Sequence, residues 1–512
     1  MKKQLRAFLL VVFIIPLCFL FSGCSTSDMR SIANIEKSYS VGLVDYYKIN
    51  YTDGTSDTFS ITNGQDGRDG KDGVNGDTLT IESIYSIIES EFNGDIYDFI
   101  EAYLTINTKA DSDNFAYGSS KALLSTVSIY CEFPEITKVP MYYSNGWFAG
   151  YKNQKTTACF SGSGVILDLD ENGNAYVVTN YHVVFDADST TSNKMPKKVV
   201  VYIYGQESFG GYLYDSNNNE VKDSEGYQTL DYGQYAIEAQ VVGGSSENDI
   251  AVLKIENSEI LKNSDCHSAK VLSSTQNTIV GKTVMAVGNA EGLGISCTRG
   301  IVSVDSENIA ISGIVDESTK QVFRVIRTDC AINSGNSGGG LYDVNGDLLG
   351  IVNAKIIETG TDNIGYAIPA DVAIRVAQNI IYNYENKSSG KISKAVIGIK
   401  QQISDSYSEY DSTTLTVKIH NIIKVVEVVE NTPASGVDIQ VGDIIKRVKL
   451  SNTINGETDE IMETIERSYQ VSDLLFLAKE NTTLTLYLQR ENVVDLVEVT
   501  ITLTNDNFKI IE

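Results

Sequence analysis

Thr328-Asp329-Cys330-Ala331-Ile332-Asn333-Ser334-Gly335-Asn336-Ser337-Gly338-Gly339-Gly340 is the stretch on which the reading of this chain turns. Glycines on both sides of Ser337 make a tight turn that exposes a hydroxyl and lets backbone N–H groups converge on one oxygen. A serine hydroxyl is a weak nucleophile at neutral pH and needs an adjacent base, a role that imidazole fills. The chain holds only three histidines, His182, His267 and His420. His182 closes an apolar strand in Val178-Thr179-Asn180-Tyr181-His182-Val183-Val184. A buried carboxylate must then hold the ring in one tautomer. Glu247-Asn248-Asp249-Ile250-Ala251-Val252-Leu253 offers Asp249 at the head of an apolar strand, whereas Asp186 and Asp188 lie in a polar segment.

Chain order separates two folds. Gly335-Asn336-Ser337-Gly338-Gly339 also fits the elbow of α/β-hydrolases, which run nucleophile, acid, base and would need His420. The order His182, Asp249, Ser337 and the β-rich texture around it point instead to a chymotrypsin-like arrangement. Short apolar runs separated by Gly and Asn turns predict strands near 127–130, 164–167, 176–179, 199–204, 250–255, 284–287, 300–304 and 348–352. A helix is expected over 370–384, a polar hinge over 385–392 and a second β-rich unit over 393–506. His267 and His420 read as surface or satisfied histidines.

Several blocks in one order resemble the HtrA/Deg trypsin-like serine proteases. They are Thr179-Asn180-Tyr181-His182-Val183-Val184, Asn248-Asp249-Ile250-Ala251-Val252-Leu253, Ala286-Val287-Gly288-Asn289, Gly300-Ile301-Val302-Ser303, the turn around Ser337, and Ile364-Gly365-Tyr366-Ala367-Ile368-Pro369. The resemblance implies a mainly β chain: a double β-barrel over 119–386, with His182, Asp249 and Ser337 as the catalytic set. It also implies an oxyanion hole at Gly335, Asn336 and Ser337. Ala290, Ser334 and Gly340 depart from it, each standing where that family usually has proline. Ala331, six residues before Ser337, and Tyr366 are the expected specificity positions. Without an acid at 331, small or medium aliphatic P1 residues are expected rather than Lys or Arg.

Residues 393–506 resemble a PDZ domain, through Val425 to Gly436 and Val441-Gly442-Asp443-Ile444-Ile445. That likeness makes Val396-Ile397-Gly398-Ile399 a loop for peptide C-termini. The resemblance further implies unfolded or exported proteins as substrates, a homotrimer, and no cofactor or metal. The alternative function is a binding or holdase protein on a protease fold that no longer turns over.

The ends of the chain supply location. Lys2, Lys3 and Arg6 precede an apolar run over 7–21, short for a bilayer span. Leu20-Phe21-Ser22-Gly23-Cys24 resembles a bacterial lipobox, so residues 1–23 read as a signal peptide, Cys24 as the lipidated residue and the protein as extracytoplasmic and membrane-anchored. A formal net charge of −27 argues against nucleic acid and against polybasic membrane contacts. Residues 24–118 read as a small α/β tether region. It contains a tether over 25–37, a hairpin over 39–62, glycines at every third position from Gly64 to Gly76, and two short helices over 79–104. The glycine period is that of collagen, but without proline and with so few triplets it reads as a spacer. Asp168-x-Asp170-x-Asn172-Gly173 begins like a calcium loop but ends at Thr179 rather than Glu, and reads as a hairpin turn. An exported chain can form disulfides, and Cys297 with Cys330 is then the preferred pair, but unpaired thiols acting as small apolar filler are the favoured reading.

Overall fold

The computed structural model describes residues 32–62 apart from 42–43 and 53, then 115–272, 279–316, 318–354, 363–411, 416–454 and 457–511. Cys24, the glycine run and the helices expected over 79–104 lie outside the described residues. The chain divides into two compact units, Met1–Ser112 and Asp113–Glu512.

In the first unit, strands Ile32–Val41, Val44–Tyr51 and Ser56–Thr62 form an antiparallel sheet in chain order. The hairpin expected over 39–62 turns at Gly54, whose φ of 85° suits a residue without Cβ. Tyr47 stacks on its cross-strand partner Phe59. The tether expected over 25–37 is corrected in part: residues from Ile32 onward are strand. Pairing with Val44–Tyr51 recruits them, and the Asn50 amide donates to Asn34 and Glu36 on the first strand.

The second unit contains two closed six-stranded antiparallel barrels. The first is ordered Ile237–Ser245, Ile250–Ile255, Ala175–Thr179, Phe148–Leu169, Thr126–Tyr142, Lys198–Ile203. The second runs Thr283–Gly288, Ser296–Ser312, Lys320–Thr328, Gly365–Pro369, Leu348–Val352, Gly340–Asp343. Each has its own apolar filling: Ile129, Ile166, Val177, Val201 and Leu253 in one, Val284, Ile326, Leu341, Val352 and Ala367 in the other. Alternate residues of the same strands face outward and join a layer between the barrels, with Val165, Val178 and Val252 beside Met285, Val287 and Ile351. Helix Ala370–Lys387 lays Ala373, Val376, Ala377 and Ile380 on that layer, and ends at Ser388 in a left-handed cap. Closure of two barrels thus leaves a seam into which loops from both can reach.

The turn Asp170–Asn174 is a hairpin connection: the Asp170 carboxylate accepts from the backbone N–H groups of Asn172 and Asn174. All five described cysteines are free, so Cys297 and Cys330 are not bridged. Cys330 packs in the second barrel with its thiol toward the Val284 carbonyl, while Cys297 faces the Ser119 hydroxyl.

A third β-structure closes the chain. Strands Ile399–Asp411, Thr416–Val428, Ile444–Ile454, Thr483–Gln489 and Val497–Thr502 form a sheet in that order, with Glu457–Thr464 added on Ile444–Ile454. Ile392–Ala395 pairs with Phe508–Ile511, and a short helix, Gln470–Leu474, packs alongside. This sheet is docked on the second barrel. Arg324 reaches Asp371 at 2.6 Å and Asp473 at 2.7 Å, and its guanidinium lies 3.8 Å above the Tyr469 ring. Arg467 meets Asp305 at 3.3 Å, and Arg375 meets Glu463. Among the described residues no helix is long and apolar enough to cross a membrane.

Candidate active site

Asp249 stands where the chain enters strand Ile250–Ile255, with a φ of 51°, a left-handed conformation that aspartate tolerates better than most side chains. It is fully buried. A buried carboxylate needs donors, and it has three. Oδ1 accepts the His182 backbone N–H at 3.0 Å, while Oδ2 accepts from His182 Nδ1 at 2.7 Å and from Asn353 Nδ2 at 2.6 Å. The Asn180 amide donates to the Asp249 carbonyl at 2.9 Å. His182 itself sits in the helical turn Tyr181–Val183 that follows strand Ala175–Thr179. With Nδ1–H directed at the carboxylate, Nε2 presents its lone pair to Ser337 Oγ, 2.9 Å away. The first barrel therefore supplies the acid and imidazole, and the second supplies the hydroxyl across the seam.

The glycine turn is fixed on every side. The Ser334 carbonyl accepts the Glu291 N–H at 2.7 Å, and the trans peptide then turns the Gly335 N–H the opposite way. Ser163 Oγ donates to the Gly335 carbonyl at 2.7 Å and accepts the Asn289 N–H at 2.8 Å. Gly335 has a φ of 89°, and a Cβ there would stand 2.1 Å from the Asn289 carbonyl. The N–H groups of Gly335 and Ser337 donate to no other described group and are free to take an oxyanion. Asn336 is corrected as a member of that set: its N–H is used on the Asn333 carbonyl at 3.1 Å, and its side chain is buried. Ser337 Oγ also accepts the Ala354 N–H at 3.1 Å.

Gly340, a departure from the resemblance, has a local cause. A Cβ at this position would stand 2.2 Å from the Tyr342 ring, whose hydroxyl lies buried 2.9 Å from Thr126 Oγ1. Nothing in the structure explains Ala290.

Of the expected specificity positions, Ala331 is exposed, with its carbonyl taking the Thr298 hydroxyl at 3.0 Å. Tyr366 is half-buried and packs against the cluster of Phe323 and Val325 that also touches Tyr181. Ile332, which sequence reasoning passed over, is buried directly against Gly365. In the loop before Ile399–Asp411, the Val396 N–H is used on the Asn507 carbonyl. Ile397 is buried, and Gly398 (φ 84°) lies so close to Thr432 that a Cβ would stand 2.0 Å from Oγ1. Ile399 opens an edge strand. His267 meets the Ser268 carbonyl, and His420 lies between Glu409 and Glu466, stacked on Tyr407. Neither partners Ser337, so the elbow reading with His420 as base finds no geometry here. Among the described residues no group of three His, Cys, Asp or Glu side chains could hold a metal ion.

Residues 162–351 match the family model of the trypsin-like peptidase domain. The two barrels are trypsin-like. The chain is 30% identical over 305 residues to the serine protease Do-like HtrA of Bacillus subtilis, covering 58% of this chain and 56% of the relative. It is 29% identical over 317 residues to the serine endoprotease DegS of Haemophilus influenzae, covering 61% and 72%. A probable periplasmic serine endoprotease, DegP-like, of Pseudomonas putida is 31% identical over 289 residues, covering 56% and 46%. Among solved structures, the HtrA-type protease AlgW with tripeptide matches 77% of this chain and 97% of its own, at 20% identity and a TM-score of 0.41. The chain spans between about half and three quarters of the length of these three curated relatives.

Proposed function

We propose that this chain is a serine endopeptidase that cleaves misfolded or exported proteins through an acyl-enzyme. The observation that carries the reading is Ser337 Oγ at 2.9 Å from His182 Nε2, with the opposite ring nitrogen 2.7 Å from the buried Asp249. Ser337 attacks the scissile carbonyl while Nε2 takes its proton, and Asp249 holds the tautomer and stabilises the imidazolium. The developing oxyanion falls to the N–H groups of Gly335 and Ser337. His182 then gives its proton to the leaving amine, and water enters by the reverse route to free the acid. No cofactor is required by this chemistry. The neutral, exposed Ala331 is in keeping with aliphatic P1 residues, and a cleavage profile dominated by Lys or Arg would overturn that choice.

The same proposal places the protein outside the cytoplasm, anchored through lipidated Cys24 and assembled as a homotrimer. Its C-terminal β-unit is read as PDZ-like, taking peptide C-termini at the loop Val396–Ile399 and the exposed edge strand that follows. The N–H groups left for a carboxylate there are those beyond Val396, whose own is occupied.

Casein cleavage by the full chain beside Ser337→Ala tests the core of this. Turnover in the parent with none in the variant, and fluorophosphonate labelling in the parent alone, is the expected result. Equal turnover in both would remove Ser337 from the chemistry. Silence in both without labelling would favour a holdase.

A further inference from the structure

Past the barrel wall, strands Thr126–Tyr142 and Phe148–Leu169 continue as a two-stranded ribbon. They pair with each other out to Tyr142↔Phe148, while their other barrel partners stop at Glu132 and resume only at Val165. The Tyr143 N–H closes the tip on the Trp147 carbonyl at 2.8 Å, and Gly146 takes a φ of 84°. Buried apolar residues would be expected on one face of such a ribbon, yet the opposite is found. Tyr142 is 63% exposed, Tyr143 61%, Trp147 75%, Phe148 53% and Tyr151 63%. Cross-strand partners share a face, so Pro140 and Tyr142 stand beside Phe148 and Tyr151, with Phe148 ring-centred 6.1 Å from Tyr142 and 5.1 Å from Tyr151.

Charge at this tip runs against the chain. The protein has 67 acidic and 40 basic residues, but residues 136–157 contain Lys138, Lys152 and Lys155 and no carboxylate. Lys155 is turned back onto the Glu225 carbonyl, whereas Lys138 and Lys152 form no ion pair among the described residues. The tip runs beyond the strands' other barrel partners with its rings exposed, so a protein partner would need a matching hollow. Two tips in self-contact would set lysines against lysines. A bilayer surface needs no hollow, favours Trp and Tyr at headgroup depth, and attracts lysines when its lipids are anionic. Net charge of the chain therefore misleads about this surface.

We propose that the Tyr142–Tyr151 tip enters the headgroup region of an anionic bilayer. It goes no deeper, because the outer edges of a two-stranded ribbon carry unpaired backbone groups that hydrocarbon cannot satisfy. The contact is independent of the N-terminal anchor and of the peptidase reading.

Trp147 is the only tryptophan in the chain, so its fluorescence reports on this tip alone. The full chain is reconstituted into phosphatidylcholine vesicles with or without phosphatidylglycerol. Blue-shifted emission is expected with the anionic lipid, quenched more by lipids brominated near the headgroup than near the chain end. Lys138→Glu with Lys152→Glu should lower the bound-to-free ratio of the tip by at least about 25-fold, at about fivefold for each lysine charge removed, with the new carboxylates lowering it further. Tyr142→Ser with Phe148→Ser should abolish the shift while the melting midpoint stays that of the parent. Emission of a water-exposed indole in every vesicle would overturn the proposal. So would a shift that appears without lipid and grows with protein concentration, which would mean a second copy on the tip. A shift of equal size in neutral vesicles, unchanged by the charge reversals, would overturn it too.

Discussion

Three donors converge on the buried Asp249 carboxylate, two from His182 and one from Asn353, and only His182 was foreseeable in the sequence. Asn353 is the second side-chain donor, and it has no signature in the sequence: it lies 104 positions from Asp249 and meets it only when the barrels close. Hydrogen bonds to charged groups contribute about 1.5–3 kcal/mol, so Asn353→Ala should lower kcat roughly 10- to 100-fold. KM should hardly move, since Asn353 positions the acid and does not touch substrate. A pure KM effect, or unchanged kinetics, would count against this role. Ser163 behaves similarly at the glycine turn. Ser163→Ala removes the hydroxyl that bridges Asn289 and Gly335, and should slow fluorophosphonate labelling about tenfold or more while leaving the Ser337–His182 pair in place. His182, Asp249 and Ser337 were legible because each carries its local context with it: a strand end, a strand head and a glycine turn.

Elements were legible where a run was continuously apolar. Ile250–Ile255 and Leu348–Val352 are sandwiched between a barrel interior and the inter-barrel layer, so both faces are buried and the sequence shows it. Lys320–Thr328 escaped notice because Arg324 and Arg327 interrupt it, one paired with Asp371 and Asp473 and the other with Glu307. Ile237–Ser245 escaped through its glycines. The strand Gly340–Asp343 explains why residue 340 cannot be a proline here. Gly340→Ala should destabilise the second barrel by about 1–3 kcal/mol through overpacking against Tyr342, read as a lowered midpoint in urea. An unchanged midpoint would mean that the ring moves aside at no cost.

At the scale of the molecule, the docked C-terminal sheet rests on a charged contact that neither half reveals alone. Burial pushes the Asp473 carboxyl up to about 6, with Arg324 pulling in the opposite direction. The unfolded carboxyl titrates near 3.8, so between these values the folded chain binds more protons than the unfolded one. Stability contributed by this group is therefore present at low pH and falls as pH rises from about 4 to about 6, by at most about 3 kcal/mol. Above that window the ionised carboxylate depends on Arg324. Unfolding free energies of Asp473→Asn, measured across the window beside the parent, should lack this slope. An identical slope would place the titration elsewhere.

By itself the sequence determined the β-barrel class and the chemistry of the glycine turn. Hydroxyl, imidazole and carboxylate in that chain order, each in an apolar or glycine-rich setting, are chemically specific wherever they occur. Tertiary structure decided what depends on contacts between distant segments. It turned Asn336 out of the donor set by spending its N–H on Asn333, recruited Asn353 and Ser163, and left the thiols of Cys297 and Cys330 unpaired. It also gathered exposed aromatic rings and lysines at one tip of a chain whose overall charge pointed the other way. Periodicity records which faces are buried, but pairing across the seam between two barrels leaves no period to read.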